Sequence, residues 1–228
     1  MDALGPLNGD CEPRELRRGY HDRIAELRER SLSVLRWAVA GTEDATQALL
    51  ADDLTTAGSM RERARQVNGV AAAVDDEVVG LLALESPVAR DLRVVLAARD
   101  VTQVSLLCVG LALTLANRAG ALGRVPALRE EVERAGSRTA ALMRLADAAW
   151  ATLDADTAGR VLSAAADTRS AQVDFLEALL TLNDAPLDAA LDLGLVARAY
   201  DRLTDHAEEI AERVLFAVHG RHTPVSGG

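Results

Sequence analysis

Apolar residues recur at steps of three and four along nearly the whole chain, a spacing that predicts helices and leaves no segment with strand-like alternation. From Arg14 onward, Leu16, Tyr20, Ile24, Leu27, Leu32, Leu35 and Val39 keep this step, and it continues past Gly41 through Ala45 and Leu49. A second helix is predicted from about Leu54 to Leu84, with Val67, Val70, Val74, Val78 and Leu81 on its apolar side. Ser86-Pro87 reads as a break and restart, Ser capping and Pro opening a third helix that runs to about Ala119. Three more helices are predicted near 127–153, 157–181 and 186–218, the last two parted by Asn183-Asp184-Ala185-Pro186. Residues 1–13 read as a flexible lead and 219–228 as a flexible tail.

Between the two halves, Ala119 to Pro126 holds two Gly and a Pro, the clearest linker in the sequence. The expected organisation is therefore a three-helix unit over 14–119, a linker over 120–126 and a second three-helix unit over 127–218. Laying residue 96 on 191 matches Leu96 with Leu191, Ala112 with Ala207 and Ala116 with Ala211. An all-α fold of two tandem three-helix bundles, duplicated, is the economical interpretation; one irregular six-helix bundle with chance matches competes with it.

Composition narrows the chemistry. The 228 residues carry 25 basic and 35 acidic side chains, a net charge of −10, and every basic one is Arg. Without Lys, a P-loop nucleotide hydrolase or a Schiff-base enzyme is excluded. The acid excess argues against nucleic acid as a partner. Two Cys, at 11 and 108, cannot build a disulfide framework, which suggests a reducing compartment. The first residues lack the apolar core of a secretory signal, so a cytoplasmic protein is expected. Val101 to Asn117 carries no charge but falls short of the roughly 20 apolar residues of a span, so a buried helix, not membrane insertion, is expected there.

Candidate catalytic groups are few. Gly-x-Ser-x-Gly, Cys-x-x-Cys, His-Glu-x-x-His and a Gly-rich phosphate loop are absent from the sequence, and none of His21, His206, His219 and His222 follows a Glu by three residues. Cys108 reads as a small core residue. Asp201 and Asp205, four apart, share a helical face and could grip one hard cation, while His206 points about 100° away. By spacing alone, a solvated acidic face is the better account of such a pair.

Two stretches resemble the PhoU family. Leu81-Leu82-Ala83-Leu84-Glu85-Ser86-Pro87-Val88-Ala89-Arg90-Asp91-Leu92-Arg93 is similar to its hairpin into the third helix, and Leu195 to Ala207 to its second-repeat motif, closed by Ile210-Ala211-Glu212-Arg213-Val214 and Gly220. Ala45 to Leu50 fits the end of its first helix. The resemblance spans essentially the whole chain and implies the duplicated three-helix fold. It also implies a cytoplasmic, non-enzymatic regulator of phosphate uptake, coupling the ATPase subunit of an ABC-type phosphate transporter to a sensor histidine kinase, and a homodimer.

Members of that family can hold metal through paired acidic motifs in each repeat. In the first repeat the matching positions are Ala64, Asn68, Leu106 and Gly110, all without carboxylates; in the second they are Ser170, Asp174, Asp201 and Asp205. The resemblance thus implies a divalent or iron-type metal ion on Asp174, Asp201 and Asp205, in the second repeat only. In the first repeat, exposure of Leu106, Leu107 and Leu111 would mark a partner surface and burial would mark core. The alternatives to an adaptor are a metal-binding helical bundle built on those three aspartates and a structural homodimer without a phosphate role.

Overall fold

The computed structural model describes residues 13–182 and 184–220. The lead over 1–12, Cys11, Asn183, His222 and the tail over 221–228 lie outside the described residues. Six helices follow one another: α1 (Pro13–Ala51), α2 (Thr56–Leu84), α3 (Ala89–Ala116), α4 (Arg129–Thr152), α5 (Ala155–Thr181) and α6 (Leu187–His219). They form two three-helix units, α1–α3 and α4–α6, as the spacing of apolar residues predicts.

The units are fused along their inner helices. α1 packs on α3 and on α4, α3 packs on α6, and α2 and α5 flank the outside, so one continuous core crosses both repeats. Small residues make this close approach possible: Ala97, Ala98, Ala112 and Ala116 of α3 and Ala199, Ala207 and Ala211 of α6 are all buried. Because α3 is enclosed by α1, α2 and α6, a helix apolar nearly all round is what its position demands. The stretch 89–124 is long and apolar enough to cross a membrane by length and composition, and half of its most apolar window is buried inside the protein. Leu107 is 56% exposed, whereas Leu106 and Leu111 are half-buried, so the uncharged run is mainly core.

Two local features depart from expectation. Ser86 sits at φ +46° and Val88 is extended, so α3 opens two residues late, at Ala89, with no side-chain cap. Ser86 is used in reversing the chain and does not cap. The 120–126 linker is folded: 3-10 turns at Ala119–Arg124 and Pro126–Leu128 bury Ala121, Leu122, Val125 and Leu128. The Gly123 amide donates to Asp52 Oδ1 at 2.7 Å, tying this connection to the end of α1. At α5 the cap is Asp154, whose carboxylate accepts from the amides of Asp156 and Thr157.

Candidate functional site

The outer hairpin of the second repeat holds the sequence-predicted acids. Its register is set by a buried amide: Gln172 of α5 donates to Thr139 Oγ1 of α4 at 3.1 Å and to Thr204 Oγ1 of α6 at 2.7 Å. One turn before Gln172, Arg169 reaches across to α6. Its Nη1 donates to Glu208 Oε1 at 3.0 Å and its Nη2 to Asp205 Oδ1 at 3.0 Å, with a further bond to Glu208 Oε2. These two carboxylates, Glu208 foremost, raise the guanidinium's pKa still further. Arg202 donates to the other oxygen of Asp205 at 3.3 Å, and Arg198 holds Asp201 at 2.5 Å.

Asp174 does not join them. It is exposed, and its nearest cation is Arg134 of α4, 3.9 Å away on the opposite flank of α5. Five residues separate Asp174 from Arg169, about 140° of rotation at 100° per residue. The α5 positions on the Asp205 side are therefore Arg169 and, one turn on, Val173, each one residue before the expected Ser170 and Asp174. The Asp174, Asp201 and Asp205 set is not assembled as one donor cluster. Among the described residues, no three of His, Cys, Asp and Glu converge on a point that could hold a metal ion. The residues present do not fit the metal the resemblance implies.

His206 points away from the acidic face, 5% exposed, with Nδ1 3.5 Å from Glu209 Oε2. Burial, aided by Arg202, lowers its pKa against the opposing pull of Glu209, so the imidazole is held neutral. Cys108 is fully buried and its thiol is pushed up by burial, which leaves it chemically inert. In the first repeat, Ala64 lies on an apolar slot with Trp37, Met60 and Val109, and Arg63 stacks 4.6 Å over the Trp37 ring. Asp75 of α2 is braced to α3 there by Arg99 at 3.2 Å and Gln103 at 3.0 Å.

The hairpin also carries a feature the acidic motifs do not announce. Val173, Leu176 and Leu180 of α5 and Leu187, Leu191 and Leu195 of α6 are all exposed, Leu180 at 77% and Leu187 at 76%. On α5 the row shares the flank of Arg169; on α6, Leu187 and Leu191 share the row of Arg198, Asp201 and Asp205. The Arg169–Asp205 contact places both rows on one side of the hairpin. Exposed Glu177 and Asp184 border this apolar end. The signal in the sequence is the Leu187, Leu191, Leu195 step of four just after Pro186, which reads as core until the partners of α6 are known.

The described residues thus define an all-helical protein of the duplicated three-helix class, with an arginine-braced acidic face and an open apolar hairpin. Comparison with known proteins gives that class a family. Residues 132–214, from α4 into α6, match the PhoU domain. The chain is 31% identical over 214 residues to the phosphate-specific transport system accessory protein PhoU homolog 2 of Mycobacterium tuberculosis, covering 90% of this chain and 99% of that one. It is 28% identical over 224 residues to the PhoU homolog of Pseudomonas aeruginosa, covering 94% and 91%. The crystal structure of PhoU from Pseudomonas aeruginosa superposes with a TM-score of 0.83 at 27% identity, covering 89% of this chain and all of that one. The phosphate transport system regulatory protein PhoU from Streptococcus pneumoniae has the same fold, with a TM-score of 0.83 at 16% identity over 90% of this chain and 99% of that one. The chain belongs to the PhoU family, whose named members here are accessory and regulatory proteins of phosphate transport.

Proposed function

We propose that this chain is a cytoplasmic, non-enzymatic regulator of phosphate uptake and phosphate signalling, acting as an adaptor between the ATPase subunit of an ABC-type phosphate transporter and a sensor histidine kinase. The observation that carries the adaptor reading is the double apolar row at the α5/α6 hairpin. Six large apolar side chains stand in solvent on one supersecondary unit, while the rest of α5 and α6 is packed normally. Exposed apolar surface bordered by charge is the form that helical docking faces take. Likeness along nearly full length to phosphate-specific transport accessory proteins supports the phosphate connection.

The test is retention of the transporter ATPase subunit and of the cognate kinase on the immobilised full-length chain. Wild type retains them, and a Leu180→Glu/Leu191→Glu variant, which places charge on two exposed positions without touching the core, loses at least one by tenfold or more in affinity. Retention of neither partner by wild type, with phosphate regulation intact in a deletion strain, overturns the reading. A second copy seated on the hairpin would show instead as a homodimer that the same variant dissociates.

A further inference from the structure

We propose that the guanidinium of Arg169 is the built-in cation of the α5/α6 acidic face, occupying by covalent attachment the place a divalent metal would otherwise take. Asp205 and Glu208 lie one turn apart on α6 and project toward α5, an arrangement that a positive charge between the helices stabilises. Arg169 supplies it from the facing helix with the two-pronged geometry that suits carboxylates.

The oxygen inventory makes the substitution specific. Both oxygens of Glu208 accept from Arg169; of Asp205, Oδ1 accepts from Arg169 and Oδ2 from Arg202. A hard divalent ion asks for about six oxygen ligands, several of them carboxylates. Here it would have to displace Arg169 and strip a half-buried guanidinium of its partners. One turn along α5, Val173 contributes no oxygen, and Asp201 is already engaged by Arg198. Three arginines thus face three carboxylates, and the face is close to neutral without any ion. Its charge state is then fixed by the sequence and does not follow metal supply. In the first repeat an ion pair also spans the outer helix pair, but with the charges on the opposite helices, Arg99 on α3 and Asp75 on α2.

Metal content and metal-dependent melting of the purified full-length chain test this. Wild type equilibrated with micromolar Mn²⁺ or Fe²⁺ and desalted should hold far less than one metal per chain, and its Tm should move with neither metal nor chelator. Removing the tethered cation in Arg169→Ser should expose the carboxylates, giving Mn²⁺ binding near one per chain and a Mn²⁺-dependent rise in Tm, both abolished by adding Asp205→Asn. Arg169→Lys, which keeps the charge, should remain metal-free. Wild type that retains about one metal per chain, lost in Asp205→Asn/Glu208→Gln, overturns the proposal. So does a folded Arg169→Ser that takes up no metal. Should Arg169→Ser fail to fold, the wild-type stoichiometry decides: metal-free supports the proposal and a stoichiometric metal ends it.

Discussion

The hydroxyls of Thr46 and Tyr200 meet at 3.0 Å in the interior, joining α1 of the first repeat to α6 of the second. Thr46 already donates to the Thr42 carbonyl at 2.8 Å, so Tyr200 is the donor and Thr46 the acceptor. Full burial raises the phenol's pKa and so keeps Tyr200 protonated for this role. Directly over the pair runs Gly136 of α4: a Cβ there would sit 2.4 Å from Thr46 Cγ2 and 2.8 Å from the Tyr200 hydroxyl. Three helices from both repeats therefore converge on one polar contact that only a glycine admits.

Two substitutions report on that junction. Tyr200→Phe should cost about 1 kcal/mol, the net worth of a buried neutral hydrogen bond. Gly136→Ala should cost about 2 kcal/mol by overpacking, because the obstructing Thr46 is held on both sides. Urea unfolding with unchanged m-values would measure both, and a Gly136→Ala variant as stable as wild type would mean that α1 and α4 are not so closely set.

Asp147 of α4 should be a liability at neutral pH. Burial raises its pKa, Arg36 at 3.7 Å offsets this only in part, and its Oδ1 has no hydrogen-bond partner. A carboxyl with a raised folded pKa stabilises below its unfolded value of 3.8 and loses that contribution as pH rises through the folded value. Asp147→Asn should therefore be more stable than wild type at pH near 7, by on the order of 0.5 kcal/mol, with the advantage shrinking in acid. Denaturation midpoints of the two proteins across pH give the comparison.

His206 predicts a different pH window. Its folded pKa is lowered, so the unfolded chain takes the proton first once pH falls below the ordinary value of 6.5. Stability supplied by the neutral imidazole is complete above that pH and is lost as pH falls toward the folded pKa. His206→Gln should flatten this part of the stability profile. Because Arg202, Asp205 and Glu209, the charged groups that act on the ring, are present in both proteins, the difference between the two profiles isolates the imidazole.

Along α3, an exposed and a buried leucine should respond differently. Leu107→Gln should shift stability by less than about 0.5 kcal/mol, as a substitution on an exposed face does. Leu115→Ala, in a fully buried site, should cost about 3 kcal/mol through lost transfer energy and the cavity left behind. Thermal melts of the two variants distinguish a core helix from a surface one.

Much of the fold was legible in the chain. The step of three and four residues marks six helices, Pro186 marks the start of the last, and the Gly and Pro between 119 and 126 fall between α3 and α4. Ser86-Pro87 was misplaced as a cap because a capping serine and a turning serine are identical in sequence; the positive φ at Ser86 decides between them. On the acidic face, Asp201 and Asp205 do share a side of α6, but Asp174 faces Arg134.

By itself the sequence determined the local periodicity, the duplication and the kinship with PhoU proteins, because these rest on residues near one another along the chain. Only the tertiary structure decided what stands opposite what. A one-residue shift turns a side chain by about 100° around a helix, which is enough to exchange Ser170 and Asp174 for Arg169 and Val173. The partner of Asp205 comes from another helix, 36 residues earlier, and a partner so distant is fixed by packing. That packing set Arg169 opposite the acids and left the leucines of the hairpin uncovered.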